Sequence, residues 1–207
     1  AGRYRSEAPQ DFILSVGRIC SIKRVDLIIK SLPRIDEKLK LKIVGLPDEP
    51  AIDTYLKSEI DKHHLWHRVE FLGRVDDETL LGLYASAFAV YYAPFDEDYG
   101  YVTLEALASS RPVVTASDSG GVLEFIQDEV NGLVAEPNEV SISAAFNRLF
   151  EDQDLYQRIA KAGPASTSTK SWDQVIDAFV STLEPKPTIE VTVTEQTIAF
   201  EALSLEP

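Results

Sequence analysis

Two loops of this 207-residue sequence gather the side chains most able to do chemistry. In the first, Gly17-Arg18-Ile19-Cys20-Ser21-Ile22-Lys23, two cations stand five residues apart, after an apolar run and before a helical pattern. A helix N-terminus presents backbone N–H groups and a positive dipole end to an anion. Arginine grips phosphate oxygens in pairs, and lysine acts as a point charge. Arg18 and Lys23 therefore suit a phosphate or diphosphate, with solvated surface cations as the plainer reading. The glycine-rich run of a Walker loop is absent. In the second loop, Phe95-Asp96-Glu97-Asp98-Tyr99-Gly100-Tyr101-Val102-Thr103-Leu104-Glu105, the glutamates Glu97 and Glu105 stand eight apart. Two carboxylates accept hydrogen bonds from several hydroxyls, as a sugar or a ribose presents. Gly100 permits close backbone approach, and the amides after it open a helix that can meet a phosphate. Three other readings of this loop stay open. It is a solvated acidic loop, a glycosidase-like acid and nucleophile pair, or a D-x-D site in which Asp96 and Asp98 hold a divalent cation against a nucleotide diphosphate.

The elements that must position these loops alternate along the chain. Short β-type runs at Phe12–Val16, Leu41–Val44, Val69–Leu72, Phe88–Tyr92 and Pro112–Thr115 are interleaved with helical patterns at Val25–Leu32, Ala51–Lys62, Asp76–Ala87 and Tyr101–Ser109. Gly132–Val134 is a sixth candidate strand, and Val140–Phe150, Asp154–Ala162 and Trp172–Leu183 read as closing helices. This alternation predicts an α/β fold, a Rossmann-like, doubly wound parallel sheet of about six strands. Ligands of such sheets sit beyond the carboxyl ends of the strands, where both loops lie. Domain boundaries are expected at 1–183 for this unit and 184–207 for a tail, with a linker at Glu184-Pro185-Lys186-Pro187 and then a hairpin-like alternation.

Composition excludes several classes. The net charge is −14, divided as +2 over residues 1–62 and −16 over the rest. Nucleic acid is an unfavourable partner for such a chain, while a small anion is still drawn to the N-terminal third. The single cysteine, Cys20, excludes a disulfide scaffold, and no apolar run reaches the roughly 18 residues of a membrane span. Cys20 reads as a small apolar filler. His63, His64 and His67 are grouped without a cysteine or fourth ligand and read as surface or packing residues. There is no methionine, not even at position 1, as expected of a segment of a longer protein or a processed start.

Six stretches in order carry a resemblance. They are SVGRICSIKRVDLIIKSL at 15–32, LKIVG at 41–45, VEFLGRVDDETLLGLYASA at 69–87, APFDEDYGYVTLEALASSRPVV at 93–114, SDSGGVLEFI with NGLV at 117–134, and SWDQVIDAF at 171–179. Together they resemble the donor-binding, C-terminal domain of the GT-B retaining glycosyltransferases, glycosyltransferase family four or group one. The match includes the G-R-x4-K loop and the E-x7-E signature. Three positions depart from the pattern: Arg24, Ser110 and Asp98 stand where glycine is common.

The resemblance implies a parent enzyme that transfers a sugar from a nucleotide-sugar to a hydroxyl acceptor with retention. Arg18 and Lys23 would hold the donor diphosphate and stabilise its leaving charge. Glu97 would contact the transferred sugar, and the backbone of Gly100, Tyr101 and Val102 would meet sugar hydroxyls or phosphate. Glu105 would bind the ribose, Val75 and Asp77 would lie near the base, and Gly120 and Gly121 would keep a loop tight beside the site. The implied partners are a UDP-, GDP- or ADP-sugar and an N-terminal acceptor-binding domain outside this chain, so this chain alone is expected to be inactive. No cofactor and no metal is implied. A cytoplasmic location is expected, or a membrane-peripheral one through the missing half. The competing classes are a metal-dependent D-x-D transferase, a GT-B-like epimerase or phosphorylase, and a non-catalytic nucleotide-sugar-binding module.

Overall fold

A computed structural model describes residues 3–167. Six strands, β1 (Phe12–Val16), β2 (Lys40–Val44), β3 (Val69–Gly73), β4 (Ala89–Tyr91), β5 (Val113–Ala116) and β6 (Gly132–Ala135), form one sheet in the order β3-β2-β1-β4-β5-β6. Every pairing is parallel. Helices α1 (Val25–Ser31), α2 (Pro50–Lys62), α3 (Asp77–Ser86), α4 (Tyr101–Ala108), α5 (Glu139–Glu151) and α6 (Gln153–Thr167) complete the described unit. Parallel strands need crossover connections, and these helices supply them and cover both faces. The strand order reverses between β1 and β4, so a crevice opens at their carboxyl ends.

The period-two alternation of strand side chains divides the core in two. Ile13, Ala89, Tyr91 and Val114 join one cluster with Ile28, Leu56, Phe146 and Ile159. Phe12, Leu14, Val90, Tyr92 and Val113 join the other with Tyr84, Leu107 and Val122. Consecutive tyrosines at the end of β4 are thereby sent to opposite faces. Side-chain caps set three helix starts, one of them that of α6, where Asp152 accepts from the Leu155 amide at 2.9 Å. Asp76 accepts from the Thr79 amide at 2.7 Å, and Asn138 from the Ser141 amide at 2.9 Å.

Within the described residues the expected elements are present, with shifts at their ends. The first helix stops at Ser31 and passes into a 3-10 turn, Leu32–Arg34. The helix expected over 154–162 instead runs on through Pro164 to Thr167. Gly163 brings its backbone against Leu107, where a Cβ would lie 2.8 Å from the carbonyl oxygen, and this packing against α4 overrides the local helix-breaking signal. The closing helix expected at Trp172–Leu183 and the tail at 184–207 lie outside the described residues. Among the described residues no helix is long and apolar enough to cross a membrane.

Two of the three departures from glycine fall on left-handed backbone: Arg24 has φ +48 and Ser110 φ +57. In the acidic loop the left-handed residue is Asp96, φ +46, two positions before Asp98. Ser110 closes α4 in a Schellman arrangement, its N–H bonded to Leu107 O at 3.0 Å and that of Arg111 to Ala106 O at 2.9 Å. An L-residue in this conformation costs about 1–2 kcal/mol. Ser110→Gly is therefore expected to stabilise the chain by about 1 kcal/mol, raising Tm by about 2–4 °C. An unchanged or lowered Tm in a thermal melt would show that the serine is not strained.

Candidate functional site

The crevice between β1 and β4 brings the two loops together. A cavity of about 410 Å³ is lined by Arg18, Lys23, Tyr92, Glu97, Gly100, Tyr101 and Val102, among others. Lys23 ends a 3-10 turn, Ser21–Lys23, within the loop, and stands two residues before α1 begins at Val25, as the sequence suggested. It donates to the Glu97 carboxylate and, at 3.1 Å, to the Tyr92 hydroxyl, while that hydroxyl donates to Glu97 Oε2 at 3.1 Å.

Burial would lower the Lys23 pKa, but the hydrogen bonds to Glu97 and Tyr92 outweigh it and leave the value raised. Burial pushes the Tyr92 hydroxyl upward, against the opposing effect of Lys23. The ammonium is thus held charged and the phenol neutral throughout the ordinary pH range. An ammonium has three donors. Two are engaged here, and the third remains available among the described residues to a ligand oxygen.

Arg18 is more open. Its side chain is 73% exposed and its Nη1 donates to Asp48 at 2.9 Å. Gly100, with φ +78, is the N-cap of α4, and it lines the cavity with Tyr101 and Val102 of the first turn. Gly120 and Gly121 do not line the cavity. They press against the loop that carries Glu97, where a Cβ on Gly121 would stand 2.2 Å from Asp98 O. The Gly121 N–H donates to Glu97 O at 2.6 Å, and the Glu97 N–H to Ser119 O at 3.3 Å.

Asp77 and Glu105 fall in a second, smaller cleft of about 50 Å³, lined also by Arg3, Tyr4, Leu80, Leu81 and Tyr84, and Val75 lines neither cleft. The two clefts share α4, with Tyr101 and Val102 on one and Glu105 on the other. Glu105 accepts from Tyr4 at 3.0 Å and from Tyr84 at 2.8 Å, one hydroxyl to each oxygen. A carboxylate offers about four lone-pair directions, so acceptor capacity remains for a diol. Burial, then the neighbouring Glu105 charge, raises the Tyr84 pKa well above its usual value and that of Tyr4 to about 12. Asp77 is exposed and pairs with Arg3. Val75 is half-buried and packs against the core on this face. Among the described residues no three His, Cys, Asp or Glu side chains converge in metal-binding geometry.

Tyr92, Tyr84 and Tyr4 were not singled out from the sequence. Tyr92 closes an apolar strand and Tyr84 sits at a helical core spacing, so both read as packing. The signal for Tyr92 is its place as the last residue of the apolar run Phe88–Tyr92 before the acidic loop, just past the end of β4, where a core ring directs its hydroxyl toward the crevice.

Comparison with known proteins identifies the family and the fold. The pattern of the family described as Glycosyl transferases group 1 matches residues 3–166. The uncharacterized glycosyltransferase MJ1607 of Methanocaldococcus jannaschii is 36% identical over 184 residues, covering 86% of this chain and 46% of its own length. The alpha-1,3/1,6-mannosyltransferase ALG2 of Homo sapiens is 29% identical over 171 residues, 76% of this chain and 41% of its own. The chain thus spans less than half the length of these relatives. Among solved structures, Anabaena HepE in complex with UDP and glucose superposes with a TM-score of 0.77 at 24% identity, over 84% of this chain and 48% of that one. The C-terminal domain of the group 1 glycosyl transferase LpcC of Francisella tularensis has a TM-score of 0.72 at 22% identity, over 81% of this chain and 94% of that one. The fold is therefore a Rossmann-like half of the GT-B architecture. With the family pattern matched over most of its length, this chain belongs to the glycosyl transferases group 1 family.

Proposed function

We propose that this chain is the donor-binding half of a retaining glycosyltransferase, and that a second, N-terminal domain holds the hydroxyl acceptor. The observation that carries this reading is the Lys23–Glu97–Tyr92 cluster facing the N-terminus of α4 in one cavity. A charged lysine, an open arginine and the first amides of a helix form an anion seat for a diphosphate, beside a carboxylate suited to sugar hydroxyls. Glu105 takes the ribose, and Val75 and Asp77 lie toward the base. In transfer, the acceptor oxygen bonds to the anomeric carbon as the sugar–phosphate bond breaks. The electron pair leaves with the diphosphate, where Lys23 and Arg18 stabilise it, and the hydroxyl proton departs to that leaving group. This is electrostatic catalysis with attack on the face the diphosphate vacates, and it requires no protein nucleophile. HepE and its bound UDP support this reading as a structural likeness.

The test is calorimetry of the 207-residue chain with UDP, GDP, ADP and their sugars, each with and without EDTA. Binding of at least one nucleoside diphosphate, unaffected by EDTA, is expected, without sugar transfer by the chain alone. Arg18→Ala is expected to weaken diphosphate binding about tenfold to a hundredfold, from a charge-assisted bond of about 1.5–3 kcal/mol, and to leave nucleoside binding unchanged. Loss of binding in EDTA would favour the D-x-D reading through Asp96 and Asp98. No nucleotide binding at all would favour a packing module.

A further inference from the structure

Arg24 occupies left-handed backbone that glycine adopts more readily, and its side chain accounts for its presence there. The guanidinium donates from Nε to Ala93 O at 2.7 Å and from Nη2 to Pro94 O at 2.7 Å. It also clasps Asp118 with both arms, Nη1 to Oδ2 at 2.9 Å and Nη2 to Oδ1 at 2.7 Å. Its own carbonyl accepts from the Tyr91 hydroxyl at 2.9 Å. One side chain therefore ties together the loops that follow β1, β4 and β5.

The tie leads to Glu97. Asp118 O accepts from the Asp96 N–H at 3.0 Å, and the next carbonyl, of Ser119, takes the Glu97 N–H. On the other side, the Phe95 N–H donates to Ile22 O at 2.8 Å, next to Lys23. The backbone carrying Glu97 is thus clamped between the segment that bears Lys23 and the segment that Arg24 holds through Asp118. A bidentate arginine fork fixes direction as well as distance, which a flexible lysine does not.

We propose that the Arg24–Asp118 pair is a positioning device for the donor sugar. By joining the loops after β1, β4 and β5 it holds the Glu97 carboxylate where it meets the sugar beside Lys23. This inference rests on the proposed function, and it names two residues with no direct ligand contact that set selectivity for the sugar-bearing donor. Because it acts through Glu97, loss of the pair affects the sugar and spares the diphosphate.

The experiment compares Arg24→Lys, Arg24→Gly, Asp118→Ala and the double variant Arg24→Gly/Asp118→Ala, in the full 207-residue chain, by calorimetry and thermal melting. The ligands are the nucleoside diphosphate that the unaltered chain binds and its matching nucleotide-sugar. Each single variant is expected to lose about tenfold in affinity for the nucleotide-sugar, the scale of one charge-assisted contact, and to stay within about twofold for the diphosphate. Arg24→Gly relieves the left-handed strain, so its Tm is expected to stay near that of the unaltered chain while selectivity is still lost, an outcome that a purely structural role would not produce. The double variant is expected to be no worse than the singles, because the two residues act as one unit. Equal losses for both ligands, additive losses, or unchanged selectivity in Arg24→Lys and Asp118→Ala would overturn the inference while leaving the proposed function standing. An unaltered chain that binds no nucleotide would overturn both.

Discussion

On the proposed function, Glu97→Ala in a two-domain parent enzyme is expected to lower turnover by about two to three orders of magnitude, the scale seen when one preorganised group at a reacting centre is removed. A carboxylate at the transferred sugar acts in the transition state, so its loss falls on kcat more than on affinity for the rest of the donor. Nucleotide-sugar affinity should fall about tenfold or more. Affinity for the diphosphate alone should hold or rise, because the Lys23 ammonium loses the carboxylate that now competes for it. The Lys23 and Glu97 side chains are 16% and 20% exposed, so truncation also costs stability, about 1–3 kcal/mol. Glu97→Gln, which keeps the shape and an acceptor, separates that cost from the loss of charge.

Glu105→Ala provides the contrast. It is expected to weaken every nucleotide, with or without a sugar attached, since the ribose is common to all. It also strands the hydroxyl of the fully buried Tyr84 without its acceptor, at about 1–3 kcal/mol. Calorimetry of both variants with a nucleoside diphosphate and its matching sugar decides the matter. Identical losses for both ligands in both variants would refute the division of roles.

Gly45→Ala carries the largest expected effect on folding. Gly45 follows β2 with φ +139, and a Cβ there would stand 1.8 Å from Gly17 O. Its N–H donates to Gly73 O at 2.8 Å, and the Gly17 N–H to Val44 O at 3.0 Å, so the ends of β1, β2 and β3 are drawn together there. An alanine suffers the backbone strain, about 1–3 kcal/mol, and forces the chain before Arg18 to move, about 1–3 kcal/mol more. The expected destabilisation is about 4 kcal/mol, or about 10 °C in Tm. Gly17→Ala is the control. It has the same φ of +139 but nothing within 4 Å of the added Cβ, so only the conformational part is expected. Urea unfolding of the pair measures the difference, and equal losses would show that the contact between the two loops is not close in solution.

The placement of the two loops was legible because local features write it. Apolar runs ended by glycine marked the strand ends at Val16 and Val44, and the position of Arg18, Lys23, Glu97 and Gly100 just past strand ends placed them on one edge of a parallel sheet. Arg24 and Ser110 were noticed only as departures from glycine. Their left-handed backbone gives that observation its physical meaning.

Apolar runs and helical spacings are properties of neighbours along the chain, so they were enough to specify six strands, their crossover helices and the edge on which the two loops stand. Strand order is not written in that pattern. It depends on which faces bury best against which helices, and it placed β1 beside β4. That adjacency, between segments about seventy residues apart, made Lys23 the partner of Glu97 and Tyr92, and the place of β5 beyond β4 brought Asp118, 94 residues away, to Arg24. Tyr84 and Tyr92 show the same limit at the scale of one side chain. Periodicity assigns each ring to the core, but where its hydroxyl emerges is set by packing between α3, β4 and α4, because a buried hydroxyl must find an acceptor: Tyr92 finds Glu97 in the loop just after its strand, and Tyr84 finds Glu105 on the neighbouring helix.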